Sequence, residues 1–175
     1  MSLIALSYPE LTPEDFAWIE NIREAHEKNY SIVRPHFTLV FGTERISQDD
    51  FTDHVRNIAR KTHIIRFVLR SIVVVTDKSE ALTFVLLVPE EGHSKIVKLH
   101  DRLYAGILEG SQRLDMPYIP HVTVGNSPNP QECVNLANRL NDKEFAVEGT
   151  ISSIDIALYE EGGIDCIGNV ELTHQ

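Results

Sequence analysis

The sequence has 175 residues and is 42% hydrophobic, which is enough to bury the core of one globular domain without disulfides or a structural metal. Its 26 acidic and 16 basic side chains give a formal net charge of -10, which argues against broad electrostatic binding to duplex nucleic acid. Cys133 and Cys166 show no CxxC spacing, so neither a zinc cage nor a disulfide framework is indicated and a reduced, cytoplasmic setting is expected. No apolar run is long enough for a signal peptide or a membrane span, and no membrane partner is expected.

The first half of the chain alternates predicted strands and helices. Residues 3–6 form an apolar run that is typical of a buried strand. Thr12, Pro13 and Glu14 then supply an N-cap, a proline at the first helical position and an acid in the first turn, which predict a helix over residues 13–28. The later elements of this half are a strand closed by Gly42, a helix capped by Ser47 and a second strand, over residues 35–41, 47–61 and 64–75.

The second half repeats this order. Residues 82–88 return as a hairpin partner of the preceding strand after a polar turn. The remaining predicted elements are an amphipathic helix, a strand, a proline-initiated helix and two final strands, over residues 94–108, 119–124, 127–140, 151–159 and 164–172. We therefore predict one bilobal, internally duplicated α+β domain over residues 1–175, with lobes formed by residues 1–78 and 79–175. Antiparallel sheets should form a central cleft, with the helices on the outside.

One short pattern occurs in both halves: proline, histidine, an apolar residue, threonine and a second apolar residue. It is found at residues 35–39 and again at residues 120–124. Side chains alternate between the two faces of a strand, so each histidine shares a face with its threonine while the apolar residues face the other side. Two related lobes about a pseudo-twofold axis would bring the polar faces together in one groove.

Such a groove is suited to a phosphate. One neutral imidazole can take a proton from water while the other, as imidazolium, protonates a leaving oxygen, and each contributes about 10²–10⁴-fold. Threonine hydroxyls can donate hydrogen bonds to the non-bridging oxygens, where charge builds. We therefore predict His36 and His121 as the catalytic pair and Thr38 and Thr123 as phosphate-binding residues. This chemistry requires neither a metal nor a cofactor.

The tetrads His36-Phe37-Thr38-Leu39 and His121-Val122-Thr123-Val124 resemble the hallmark of the 2H phosphoesterase superfamily, which includes LigT-like 2'-5' RNA ligases and RNA 2',3'-cyclic phosphodiesterases. That hallmark is two His-x-Thr/Ser-x motifs, one per lobe of a duplicated α+β fold. The order of elements is also similar over nearly the whole chain. The resemblance implies metal-independent cleavage or transfer at phosphodiesters, most often the opening of a 2',3'-cyclic phosphate on a nucleotide or an RNA end. It does not assign the acid and the base.

Other interpretations use the same residues. The groove could hold a nucleotide monophosphate without turnover, it could join RNA ends, or the two histidines could simply be half-buried strand residues bonded to their threonines. Arg34 and Arg113 could reach a phosphate or coat the surface, and Tyr8 and Tyr118 could stack on a base or pack in the core. The other histidines lack a repeated setting and are expected at surface or capping positions: His26, His54, His63, His93, His100 and His174. We expect a monomer.

Overall fold

The computed structural model describes residues 2–160 and 162–174. Within these ranges the chain forms four α-helices and nine strands. The helices are α1 (Pro13–His26), α2 (Gln48–Ala59), α3 (His93–Tyr104) and α4 (Pro130–Asn141). The strands are β1 (Ser2–Ser7), β2 (Glu10–Leu11), β3 (Phe37–Thr43), β4 (Ile65–Asp77), β5 (Leu82–Glu91), β6 (Val122–Ser127), β7 (Val147–Ile151), β8 (Ser153–Glu160) and β9 (Gly163–Glu171). The predicted α+β class is confirmed.

The strands form two antiparallel sheets. Sheet A has the order β3-β1-β8-β9, and sheet B has the order β2-β7-β4-β5-β6. Each sheet takes strands from both halves of the chain, which differs from the expected arrangement of one lobe from residues 1–78 and one from residues 79–175. Hydrophobic alternation identifies a strand and its buried face but not its partner, so the sequence pattern could not reveal this exchange.

The helices cover the outer faces of the sheets. Helices α1 and α4 pack on sheet B, α2 packs on sheet A, and α3 contacts both sheets. Each helix buries residues at helical spacing, as Phe51, Val55 and Ala59 do in α2. The predicted N-caps of α1 and α2 are confirmed, because Thr12 Oγ1 and Ser47 Oγ accept hydrogen bonds from backbone amides of the first turn at 3.1 and 3.2 Å.

Several predicted boundaries differ from the structure. Helix α3 ends at Tyr104 rather than near residue 108, and a short 3₁₀ turn follows at Gly106, whose φ of +73° no α-helix adopts. The predicted strand over 151–159 begins earlier, as β7 in sheet B. The chain then crosses at Ser152 and continues as β8 in sheet A. The stretch that was predicted as one strand therefore contributes to two strands, one in each sheet.

A shared core holds the two sheets together. Its members are buried aliphatic and aromatic side chains from all four helices and from both sheets. Phe37 of β3 packs edge-on against Phe67 of β4, with ring centroids 5.0 Å apart. The apolar side of the first repeated motif is therefore anchored against the opposite sheet. No helix in the described part of the chain is long and apolar enough to cross a membrane.

Candidate active site

Both repeated motifs lie on outer strands of their sheets. His36 immediately precedes β3 and His121 immediately precedes β6, and these strands end sheet A and sheet B respectively. The apolar residues of both motifs are fully buried, whereas the histidines and threonines are half-buried. The predicted alternation of an apolar back and a polar front is therefore confirmed.

The two polar fronts face one cleft of about 560 Å³. His36, Thr38, His121 and Thr123 all line it. The two imidazoles are close enough that positive charge on His121 lowers the pKa of His36. The structure thus brings together all four residues that the sequence pattern singled out, in a cavity of the size that binds small ligands.

Both histidine rings make the same hydrogen bond to the backbone, through Nδ1. His36 Nδ1 lies 2.8 Å from the Arg34 carbonyl oxygen, and His121 Nδ1 lies 2.6 Å from the Ile119 carbonyl oxygen. A carbonyl oxygen can only accept, so each Nδ1 carries a hydrogen and donates it. In the neutral ring Nε2 then holds the lone pair. Each ring has a fixed tautomer whose free nitrogen is able to take up a proton.

The cleft favours the neutral form of both rings. Burial lowers the pKa of His36 to about 4, and the nearby positive charges of His121 and Arg23 act in the same direction. Burial also lowers the pKa of His121, against the opposing effect of its hydrogen bond to Ile119. A phosphate anion bound between the rings would raise both pKa values, because an opposite charge stabilises imidazolium.

A bulge in β3 adds a third residue to the first motif. Leu6 pairs with Thr38, but Ala5 pairs with Val40, so Leu39 is an extra residue and both Leu39 and Val40 turn into the core. The alternation resumes one residue late. Phe41 consequently lies on the cleft face of sheet A, where its side chain is 37% exposed.

The second motif has the same irregularity. The pairing in β6 shifts between Thr123 and Gly125, so Val124 is the extra residue and Asn126 returns to the cleft. Helices α1 and α4 approach β6 so closely at position 125 that only glycine fits, since a Cβ on Gly125 would lie 2.8 Å from Leu136 Cδ2. Five residues after its histidine, one copy therefore presents phenylalanine and the other asparagine.

The cleft walls are mostly apolar. On sheet A and sheet B the apolar lining includes Ile4, Phe41, Tyr159, Ile164, Val75, Phe84 and Leu86. Glu27, Asp77 and Glu80 add carboxylates, of which Glu27 pairs with Arg23 and Asp77 pairs with Arg113. The uncharged lining beside the histidine pair is suited to a flat, weakly polar group.

The two arginines near the motifs have different environments. Arg113 lines the cleft but pairs with Asp77 at 2.8 Å and with Asp115 at 2.6 Å, so its charge is neutralised and its loop is tied to the β4–β5 turn. Arg34 lies over the ring of Tyr8, 4.2 Å from the ring centroid, and is exposed. Tyr8 in turn meets His36 edge-on at 6.2 Å. Of the two, Arg34 is the more available to an anion.

The loops before the two motifs are anchored differently. Buried Arg23 of α1 donates to the Val33 carbonyl and pairs with Glu20 and Glu27. In the second loop, the Tyr118 hydroxyl donates to the Thr38 carbonyl at 2.9 Å. Burial raises the pKa of Tyr118, so this hydroxyl remains a donor at neutral pH.

Sequence reasoning missed several residues of the site. Phe41 and Asn126 escaped because the bulges invert the alternation on which the prediction depended. A comparison of the halves at the motif offset of 85 residues (121 − 36 and 126 − 41) would have matched them. His100, expected at the surface or at a cap, is instead 2% exposed and borders the cleft.

In the described part of the chain, no group of three His, Cys, Asp or Glu side chains could hold a metal ion.

Comparison with known proteins gives consistent matches over nearly the whole chain. The family model described as the 2'-5' RNA ligase superfamily matches residues 10–163. A relative from Bacillus licheniformis, provisionally named a phosphoesterase, is 22% identical over 156 residues and 89% of each chain. A Geobacillus relative with the same provisional name is 23% identical over 158 residues, covering 89% of this chain and 87% of its own.

Two solved structures show the same fold. Kluyveromyces marxianus Usb1 superimposes with a TM-score of 0.63 at 10% identity, over 97% of both chains. E. coli LigT, crystallised with NADP+, superimposes with a TM-score of 0.57 at 14% identity, over 99% of this chain and 98% of LigT. The chain therefore has the fold of these two proteins.

Proposed function

The chain belongs to the 2'-5' RNA ligase superfamily, and from that premise we propose that it is a metal-independent phosphodiesterase that opens 2',3'-cyclic phosphates of nucleotides or RNA ends. His36 and His121 act as the acid–base pair, and Thr38 and Thr123 hold the phosphate. The observation that carries this proposal is the matched pair of rings, each fixed through Nδ1 and each lining the same cleft.

The geometry suits an in-line displacement at phosphorus. A neutral Nε2 on one side takes a proton from the attacking water, and the other ring, protonated when the anionic substrate is bound, gives a proton to the leaving ribose oxygen. The P–O bond to that oxygen breaks as the new P–O bond forms. The threonine hydroxyls donate hydrogen bonds to the non-bridging oxygens. The symmetry of the ring contacts leaves the assignment of acid and base open.

The cleft lining supports a nucleotide as the substrate. Its apolar walls offer surfaces on which a base can pack, and Arg113, which lines it, is already paired with Asp77 and Asp115, so little positive charge is left for a highly charged ligand. A cyclic phosphodiester carries a single negative charge, which suits these surroundings better than a triphosphate. E. coli LigT, which shares the fold, has been crystallised with NADP+, 3'-AMP and ATP. These ligands favour a nucleotide without fixing its phosphate pattern.

Two other functions use the same cleft. A nucleotide-binding module would hold a monophosphate between the rings without turnover, and a 2'-5' RNA ligase would run the chemistry in the opposite direction. The fixed tautomers favour catalysis over simple anion binding, because each leaves a neutral Nε2 that can accept a proton, which catalysis requires and anion binding does not. We also propose a cytoplasmic monomer, and the unpaired state of Cys133 and Cys166 agrees with a reducing compartment.

Turnover distinguishes these functions. Purified protein is offered nucleoside 2',3'-cyclic phosphates and 2'-5'-linked dinucleotides, with and without EDTA. We expect cleavage of the cyclic phosphate that EDTA does not change. His36→Ala and His121→Ala should each lower kcat by about 10²–10⁴-fold, while His93→Ala, a half-exposed histidine at the start of α3, serves as the matched control.

Three results would contradict the proposal. Loss of activity in EDTA would indicate a metal, and normal turnover in either histidine variant would remove that residue from the acid–base pair. If no diester is cleaved but a nucleoside monophosphate raises the Tm, the binding module becomes the better account.

A further inference from the structure

We propose that Tyr118 is a positioning residue that fixes the separation of His36 and His121, an inference that rests on the proposed function. Its hydroxyl donates to the Thr38 carbonyl at 2.9 Å, inside the first motif. The next residue, Ile119, supplies the carbonyl that holds His121 Nδ1 at 2.6 Å. Two consecutive residues of one loop thus contact both motifs.

The contact falls on the outer edge of β3. This strand pairs with β1 on one side and is the last strand of sheet A on the other. Two tyrosine hydroxyls bond to it: Tyr118 donates to the Thr38 carbonyl, and Tyr104 accepts from the Phe41 amide at 3.0 Å. The two bonds are alike in kind, but only Tyr118 adjoins the residue that holds His121.

The Tyr118 ring is itself held in place. It stacks on His100 with centroids 3.6 Å apart and an angle of 8° between the planes. His100 is 2% exposed on α3, and its Nδ1 lies 2.9 Å from Asp101 Oδ1. A ring fixed by a buried partner aims its hydroxyl at one point, so the bond to Thr38 defines a distance between the two motifs.

The first copy of the motif lacks this device. The residue equivalent to Tyr118 at the offset of 85 is Val33 (118 − 85). The Val33 carbonyl is held by Arg23, from α1. The first loop is therefore anchored to its own helix, and the second loop is anchored to the strand of the other motif.

The separation of the rings matters because both must reach one phosphorus centre. Proton transfer on opposite sides of a phosphate requires two nitrogens placed to within about 0.5 Å. A displacement of about 1 Å can lower the rate by about 10²-fold. A residue that links the two motifs should therefore affect kcat more than substrate binding.

The test compares Tyr118→Phe with Tyr104→Phe. Each variant removes one hydroxyl from the same edge of β3, and each should lower the Tm by about 2–4 °C. With a nucleoside 2',3'-cyclic phosphate, we expect Tyr118→Phe to lower kcat by about 10–100-fold with KM changed less than about twofold. Tyr104→Phe should keep kcat within about threefold of the wild type.

Two kinetic outcomes would overturn the inference. A higher KM with unchanged kcat would make Tyr118 a substrate contact. Equal effects on kcat in both variants would reduce its role to the stability of the strand edge.

A measurement that needs no turnover separates this inference from the proposed function. Inorganic phosphate is titrated while the ¹⁵N resonances of the histidine rings are followed. In the wild type and in Tyr104→Phe, both Nε2 resonances should shift with one common affinity. In Tyr118→Phe the two rings should respond with different affinities, or only one ring should respond. An unaltered response in Tyr118→Phe would refute positioning even if the enzyme is active, and a wild type in which neither ring responds would refute both proposals.

Discussion

Residues 33–41 and 118–126 are two copies of one structure, and they differ in a consistent way. Both copies fix their histidine through Nδ1 to the carbonyl two residues earlier, both bury the apolar residues, and both contain a bulge after threonine. Among the pairs of residues that differ, three differ in polarity: Val33 and Tyr118, Arg34 and Ile119, and Phe41 and Asn126.

The shared residues and the differing residues are expected to have separate roles, one in the chemistry and the other in the orientation of the substrate. The residues proposed to transfer protons and to bind phosphate are duplicated, so the proposed chemistry is nearly symmetric about the cleft. A fully symmetric site would accept an asymmetric nucleotide in two opposite orientations. The unlike pairs remove that ambiguity. An apolar part of the substrate packs better on the side of the cleft that carries Phe41, and a polar part binds better on the side that carries Asn126. Substrate orientation is therefore expected to depend on the unlike pairs.

The largest expected effect on KM comes from Phe41. Phe41→Ala should raise KM for a nucleoside 2',3'-cyclic phosphate by about tenfold, because stacking of a base on an aromatic ring contributes about 1–3 kcal/mol. Steady-state kinetics measure this change. Phe16→Ala is the matched control, since Phe16 is 38% exposed on α1 and does not line the cleft. An equal rise in KM for a cyclic phosphate that carries no base would show that Phe41 does not contact the base.

A smaller effect is expected in the pH dependence of stability. The pKa of His36 is lowered to about 4 in the folded protein, so between pH 6.5 and about 4 the unfolded chain binds more protons and the free energy of unfolding falls as the pH falls. His36→Gln removes this contribution. Its Tm should therefore decrease less than that of the wild type between pH 6.5 and 5, by a difference equivalent to about 1 kcal/mol. Parallel Tm curves for the two proteins would show that His36 titrates normally.

The smallest effect is expected at Arg34. Its carbonyl, not its side chain, holds His36, and its guanidinium lies over Tyr8 on the surface. Arg34→Gln should leave kcat unchanged and raise KM by about two- to threefold at low salt, with the difference lost at high salt. A tenfold fall in kcat would show that the Arg34 side chain acts on the reacting phosphate.

The sequence predicted the parts of the molecule that follow from local patterns. Period-two alternation located most strands, capping residues such as Ser47 located helix starts, and the repeated tetrads brought His36 and His121 into one hypothesis. Two kinds of feature could not be predicted. Strand partnership depends on contacts distant in sequence, so the exchange of strands between halves was missed. The bulges that place Phe41 and Asn126 in the cleft add a residue where regular alternation predicts none.

The exchange of strands between halves has a consequence for dissecting the protein. A break in the β4–β5 turn leaves β1 and β3 on one polypeptide and their neighbours β8 and β9 on the other. Neither fragment can complete a sheet, and each carries a single member of the histidine pair. Reassembly of the two fragments would restore both sheets and the cleft together. Recovery of turnover on mixing the fragments would therefore measure their reassembly.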